Sequence, residues 1–214
     1  MLRVSPPDVI TVTDGDGRVA RCAVSDVQAE RVGVEVLEVK THRRLRPEVV
    51  IYQGAAKGRK LDDAVERLAE LGVAEIAAFE SARSVVSYDR AKVEKLVTRW
   101  SGIARAGAKV ARNPYVARVG GLMSWTELLR RVAREPFAVV LWEEASFPLR
   151  TALVGEAERV ALIVGPEGGL AREEAEALAD AGAQLVSLGP RIFRAENAGV
   201  VATSSLLYHY GLIG

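Results

Sequence analysis

Residues 160–207 read VALIVGPEGGLAREEAEALADAGAQLVSLGPRIFRAENAGVVATSSLL, and the rest of the chain can be ordered around them. Val160 to Val164 is a short aliphatic run closed by Gly165-Pro166, the pattern of a buried strand stopped by a breaker. Gly168-Gly169 then lets the backbone bend and come close to a ligand. Arg172 to Ala181 has a helical pattern, with Glu173 and Glu174 suiting its first turn and Gly182 its stop. A second buried strand, Gln184 to Leu188, ends in Gly189-Pro190. After Arg191 to Ala198 an apolar helix runs to about Tyr210. Two Gly-rich loops therefore leave the C-terminal ends of two strands expected to be neighbours, the rim at which open α/β sheets bind ligands. The first loop lacks the Gly-Lys-Ser/Thr ending of a phosphate loop, and no GxGxxG follows a strand. Backbone groups at such a bend can instead hydrogen-bond an adenine edge or a ribose.

Outward from this region the same alternation continues. Phe137 to Trp142 reads as a buried strand followed by Glu143-Glu144, and Thr126 to Arg134 as a helix. Val93 to about Ala111 reads as a long helix, with Lys95, Arg99, Arg105 and Lys109 on it and Arg112 just beyond; Trp100, Ile103 and Gly107 are expected to face the core. Glu75 to Phe79 is a strand. Asp62 to Leu71 is a helix with Ala64, Val65, Leu68 and Leu71 on one face and Gly72 as its stop. Val49 to Tyr52 opens this region as a strand. Strand–helix alternation over 49–210 argues for an α/β domain with a largely parallel sheet. Ahead of it, Val9 to Val12, Arg18 to Val24 and Val32 to Val39 read as strands, the first two joined by the turn Asp14-Gly15-Asp16-Gly17. Thr41 to Pro47 is a basic connector. The expected division is a small β domain over residues 1–45 and an α/β domain over 46–214.

The bulk properties narrow the function. Of 214 residues 49% are hydrophobic, enough for a sizeable core, and the formal net charge of +1 advertises no global attraction to nucleic acid. A local basic surface is then sought in Lys57, Arg59, Lys60, Arg83, Lys109 and Arg112, because phosphate contacts need Lys and Arg. The lone Cys22 forms no internal disulfide, and His42 and His209 are far apart with no Cys/His cluster, so no metal site is expected. No apolar stretch reaches the length of a membrane span, and MLRVSPPDV lacks the order of a signal peptide. A cytoplasmic protein is expected.

Gly165-Pro166-Glu167-Gly168-Gly169, its spacing to Leu188-Gly189, and Arg191-Ile192-Phe193-Arg194-Ala195-Glu196 resemble the ribosomal small-subunit methyltransferase E family, uridine-N3 methyltransferases of 16S rRNA within the SPOUT superfamily. Gln53-Gly54-Ala55-Ala56-Lys57-Gly58, Glu70-Leu71-Gly72-Val73, Ser84-Val85-Val86 and Arg99-Trp100 extend the resemblance, in order, over most of the chain. The resemblance implies a SPOUT α/β sheet with its C-terminal segment threaded into a trefoil knot, and a PUA-like RNA-binding domain over 1–45. It also implies S-adenosyl-L-methionine as cofactor, ribosomal RNA or the small subunit as partner, and a homodimer formed through the knot region.

By the same resemblance the cofactor is expected on Glu143, on Val164, Gly165, Pro166, Glu167, Gly168 and Gly169, and on Leu188 and Gly189. Ile192, Phe193, Arg194, Ala195, Asn197 and Ala198 complete that set. Uracil N3 carries a proton that must leave, so Glu196 is a candidate base and Arg194 a candidate stabiliser of the uracil anion. The chain departs from the family pattern at its start and at four residues. The usual opening strands are missing from residues 1–45, so this domain is expected to be truncated or reduced. Phe193 stands for Leu, Asn197 for Thr, and Ala106 and Val110 for Glu and Gln. Two alternatives stay open: a SPOUT methyltransferase with a different RNA target, or a non-catalytic RNA-binding or ribosome-assembly protein that kept the fold. The last helix, with Val200, Val201, Leu206 and Leu207 beside Ala202 and Tyr208, is apolar on more than one side. It is either core or shared with a second copy, and Leu206 and Leu207 are expected at the shared surface.

Overall fold

The structure is a computed structural model that describes residues 4–56, 59–84, 90–153 and 155–214. Its larger sheet starts with β4 (Glu48–Gly54), whose interior is buried throughout. Helix α1 (Lys60–Glu70), strand β5 (Glu75–Phe79), helix α2 (Arg90–Val110) and strand β6 (Arg118–Met123) follow. Then come α3 (Trp125–Val132), β7 (Ala138–Leu141), the short α4 (Leu149–Ala152), β8 (Arg159–Val164), α5 (Arg172–Asp180), β9 (Gln184–Val186) and α6 (Ala195–His209). The strand order is β6-β5-β4-β8-β7-β9, and every pairing is parallel. The central strands are apolar at successive positions because both faces of the sheet are covered. Ile51 and Leu162 point to one side, where they meet Leu68, Trp100 and Leu206; Tyr52 and Ile163 point to the other, with Phe79, Leu128 and Leu178.

Three sequence expectations change. The strands that carry the two Gly-rich loops, β8 and β9, are not neighbours, since β7 lies between them and pairs with both. Parallel strands are joined by crossovers, so succession in the chain does not fix adjacency in the sheet. Strand β6 has no counterpart in the sequence reading because Gly120-Gly121 interrupts its pattern. Gly120 is there for close packing: a Cβ on it would stand 2.8 Å from the Cβ of Ala77 on β5. Leu206 and Leu207 are not at a shared surface. Both are buried within the subunit, and the outward side of α6 is instead Ser205 and Tyr208.

The smaller sheet is antiparallel, in the order β1 (Val9–Thr13), β2 (Arg18–Val27), β3 (Val32–Thr41). Its β1–β2 turn docks on the segment after α2. Val116 N–H donates to Gly15 O at 2.8 Å, and Gly17 N–H to Pro114 O at 3.2 Å. Tyr115 OH donates to His42 O at 2.7 Å, and the Arg44 guanidinium lies 4.1 Å from the Tyr115 ring centre. Gly17, at φ +101°, leaves the room that the Tyr115 hydroxyl occupies.

Candidate functional site

The C-terminal ends of β7 and β8, the loop after β8 and the start of α6 enclose a cavity of about 420 Å3. Leu141, Val164 and Leu170 form its apolar floor, Ile192 and Phe193 one wall, and Arg194, Ala195, Glu196 and Ala198 another. Glu143, Gly165, Pro166, Glu167, Gly169 and Lys60 complete it.

The loop is shaped by close approaches that only glycine permits. A Cβ on Gly54, at the end of β4, would lie 2.3 Å from the Pro166 nitrogen. Gly169 sits at φ +70°, and a Cβ there would lie 2.8 Å from Glu143 Oε1. The loop closes on itself through Gly169 N–H to Pro166 O at 2.9 Å. It is held from outside by Arg83, whose Nη1 donates to Gly168 O at 3.2 Å and to Leu170 O at 3.4 Å. Buried Glu174 fastens the same region, accepting from Ala82 N–H at 2.7 Å and from Ala171 N–H at 2.9 Å. Across the mouth, Lys60 Nζ and Glu167 Oε1 are 3.1 Å apart.

Two features give the cavity chemical direction. Its lining joins apolar side chains to three carboxylates, Glu143, Glu167 and Glu196, and two cations, Lys60 and Arg194, which suits a ligand with a flat apolar part and charges of both signs. The Oε2 atom of Glu196 is buried and has no hydrogen-bond partner. Buried polar atoms are almost always paired, so an unpaired carboxylate oxygen at a cavity wall marks a place where a donor is missing.

The site gathers most of the cofactor residues expected from sequence, but not all. Gly168 backs onto Arg83, with 3.2 Å between its would-be Cβ and the Cβ of Arg83. Leu188 and Gly189 border a separate groove beside α6, a consequence of β9 lying one strand further out. Asn197 turns towards α1, where its Oδ1 accepts from Arg67 Nη1 at 2.6 Å. No ion pair among the described residues joins Arg194 to Glu196.

Of the six basic residues expected to converge on RNA, the five that the structure describes do not gather in one place. Lys57 lies outside the described residues, as do Gly58, Val85 and Val86. Arg59 is exposed ahead of α1, Lys60 pairs with Glu167, and Arg83 clamps the loop. Lys109 and Arg112 lie at the far end of α2, in another groove. Leu141 and Leu170 also line the cavity and carry no sequence signal of their own, although Leu170 adjoins Gly169 and Leu141 lies two residues before Glu143. Among the described residues no group of three or more His, Cys, Asp and Glu side chains is placed to hold a metal ion, and no helix is long and apolar enough to cross a membrane.

The family model of the RNA methyltransferase domain matches residues 43–207. Ribosomal RNA small subunit methyltransferase E of Mycobacterium bovis is 34% identical over 208 residues, covering 95% of this chain and 79% of the relative. The chain belongs to the ribosomal RNA small subunit methyltransferase E family. The Bacillus subtilis member is 32% identical over 221 residues, covering 100% of this chain and 86% of its own. Among solved structures, a Legionella pneumophila protein described as a methyltransferase in complex with the bound cofactor SAM superposes with a TM-score of 0.87, at 27% identity, over 95% of this chain and 84% of that one. The extent of the match agrees with the geometry: 43–207 takes in the whole parallel sheet and nearly all of α6.

Proposed function

We propose that this chain binds S-adenosyl-L-methionine in the cavity between β7, β8 and α6, and transfers its methyl group to N3 of a uridine in 16S rRNA. The carrying observation is the unpaired buried oxygen of Glu196 at the wall of a glycine-built cavity. The residues fit the cofactor. The floor of Leu141, Val164 and Leu170 with Ile192 and Phe193 suits the adenine, the loop around Gly165 and Gly169 brings backbone groups close, and Glu143 offers a carboxylate to a cation. When bound, the cofactor supplies an electrophilic methyl on a sulfonium.

The chain's own part is positional and electrostatic. Glu196 Oε2 accepts the N3 proton, and Arg194, exposed at the start of α6, attracts the negative charge that develops on the uracil. The target base is unpaired or flipped out, because N3 is on its pairing edge. The PUA-like character of the small sheet belongs to the same proposal, as does a trefoil knot. What supports the knot is the path of the chain: β9 is at the sheet edge, and α6 returns past β7 to pack on β8, β4 and α1. Ribosomal RNA is in the cytoplasm, and the enzyme would act there.

Mass spectrometry of 16S rRNA from cells with and without the protein tests the reading. A 3-methyluridine that disappears with the gene and returns with the parent chain is expected. Glu196→Gln should restore about 10²- to 10⁴-fold less methylation per unit time while still binding cofactor in calorimetry. An unchanged methylation pattern would show that the substrate lies elsewhere.

A further inference from the structure

A second groove, of about 870 Å3, runs between the first strand of the small sheet and the C-terminal half of α2, and shares no residue with the cofactor cavity. Its floor is apolar, from Val12, Val19, Ala108 and Val116. Along its α2 side stand Arg105, Lys109 and Arg112, all exposed, and no ion pair among the described residues engages any of them. Arg105 and Lys109 are four residues apart on one face of α2 and Arg112 follows just past its end, so the three span on the order of 10 Å along the helix axis. Asp14 is the one acid among the groove's described residues, and its Oδ1 is already taken by the N–H groups of Asp16 at 2.8 Å and Arg18 at 3.1 Å.

These three are not what helix chemistry alone would select. A cation in the last turn complements the helix dipole, which accounts for Lys109 but not for Arg105 one turn earlier. Arg112 is the clearer case. It ends the helix at φ +52°, the only positive-φ residue other than glycine among those described. Its N–H donates to Lys109 O at 3.2 Å, and Asn113 N–H donates to Ala108 O at 2.8 Å, the pattern of a left-handed helix stop at which glycine is ordinarily preferred. A long cation thus stands where the backbone favours glycine. Small residues keep the approach open: Gly102 has nothing within 4 Å of a would-be Cβ, and Ala106 lies on the same wall.

We infer that this groove holds the phosphate backbone of an RNA strand flanking the methylated base, with Arg105, Lys109 and Arg112 as its contacts. The inference rests on the RNA reading above and adds to it an anchoring surface separate from the chemistry. Charge complementarity decides the occupant, because unpaired cations over an apolar floor suit a polyanion that can also lay a base or sugar edge on that floor.

The test is filter binding of in vitro transcribed 16S rRNA to the full chain across a salt series. The triple variant Arg105→Gln, Lys109→Gln, Arg112→Gly should bind more weakly, with a slope of log affinity on log salt lower by about 2–3. For a slope difference of about 2, raising salt from about 50 to 200 mM then costs the parent about 16-fold more affinity than it costs the variant. Affinity for S-adenosyl-L-methionine should not change. Arg112→Gly alone should melt about 2–4 °C higher than the parent and still lose RNA affinity. If the parent binds and the triple variant shares its slope, the groove assignment is wrong while the RNA reading stands. A parent that binds no RNA overturns both. An Arg112→Gly protein that binds RNA as the parent does also overturns the role of that residue.

Discussion

Arg83 separates what a residue type suggests from what a fold does with it. As a lone cation near the active rim it reads as a phosphate contact, yet its guanidinium is spent on the carbonyls of Gly168 and Leu170, across 85 and 87 residues of chain. Nothing in the local sequence signals such a pairing, because the two segments meet only once the sheet is assembled. Gly169 was more legible. A Gly-Gly pair after a strand already calls for an unusual backbone, and the structure supplies both reasons for it, a φ of +70° and the Glu143 carboxylate in the way of any side chain. Different losses are expected from the two sites. Arg83→Gln should weaken S-adenosyl-L-methionine binding by up to about tenfold, through a loosened loop, and leave the salt slope of RNA binding at the parent's value. Gly169→Ala should cost about 1–2 kcal/mol of stability, since a side chain in the left-handed region is strained, and should displace Glu143 from the cavity wall. Calorimetry with the cofactor, alongside urea melts, distinguishes them; an Arg83→Gln protein with parental cofactor affinity and a flatter salt slope would return Arg83 to RNA.

At the level of elements, β4, β5 and β8 could be read directly, because a strand covered on both faces shows a run of successive apolar positions too short for a helix. Their order in the sheet could not, since β7 is only four residues long and its insertion between β8 and β9 depends on crossovers rather than on any local pattern. Nor could the sequence show what closes the N-terminal edge of the sheet. Glu135 accepts from Tyr52 OH at 2.6 Å and from Arg159 Nε at 2.7 Å, while Glu75 accepts from Arg131 Nη1 at 2.8 Å. These residues come from β4, β5, α3, β8 and the approach to β7, so the network joins five parts of the chain, with Glu75 and Arg159 at the N-terminal ends of their strands. Burial and the neighbouring Glu135 carboxylate push the Tyr52 hydroxyl well above its ordinary value of 10.0. The sign follows from proton uptake. The folded state keeps the Tyr52 proton at a pH where the unfolded chain has lost it, so this stabilisation is complete below about pH 10 and fades as pH rises from there towards the raised folded value. Tyr52→Phe should therefore be less stable than the parent by about 1.5–3 kcal/mol at pH 8, and the gap should narrow by pH 10.5. Urea unfolding at the two pH values checks this, and a gap that stays constant would mean that the hydroxyl does not titrate with folding.

For the molecule as a whole, the change from an antiparallel sheet to a parallel one was legible from the change of periodicity near residue 45, and the loop that lines the cavity from the breaker that ends β8; the breaker that ends β9 leads to the groove beside α6. The role of α6 was not legible, because a helix apolar all round gives no periodic signal to say which side meets the core. The structure divides it: Ala202, Leu206 and Leu207 pack inward, while Val201, Ser205 and Tyr208 border a groove of about 1100 Å3 that also takes in Leu188, Phe193 and Ile213. Phe193 is shared between this groove and the cavity at the end of β8, so whatever covers the groove also touches the cavity wall. A homodimer formed through this face would explain the exposed Tyr208 and Ile213 and would couple assembly to activity. The substitutions that test it follow from the same division. Leu206→Glu puts an unpaired charge into the interior and should unfold the subunit, so it says nothing about assembly. Val201→Glu lies on the groove; in a dimer with two-fold symmetry the charge is introduced twice at one interface, and the expected outcome is a folded monomer with methyl transfer reduced at least tenfold. Sedimentation velocity, circular dichroism and a methylation assay on one preparation read all three properties. A parent chain that sediments as a monomer and is fully active at nanomolar concentration would sink the shared-face proposal, and Val201→Glu would then behave as the parent does.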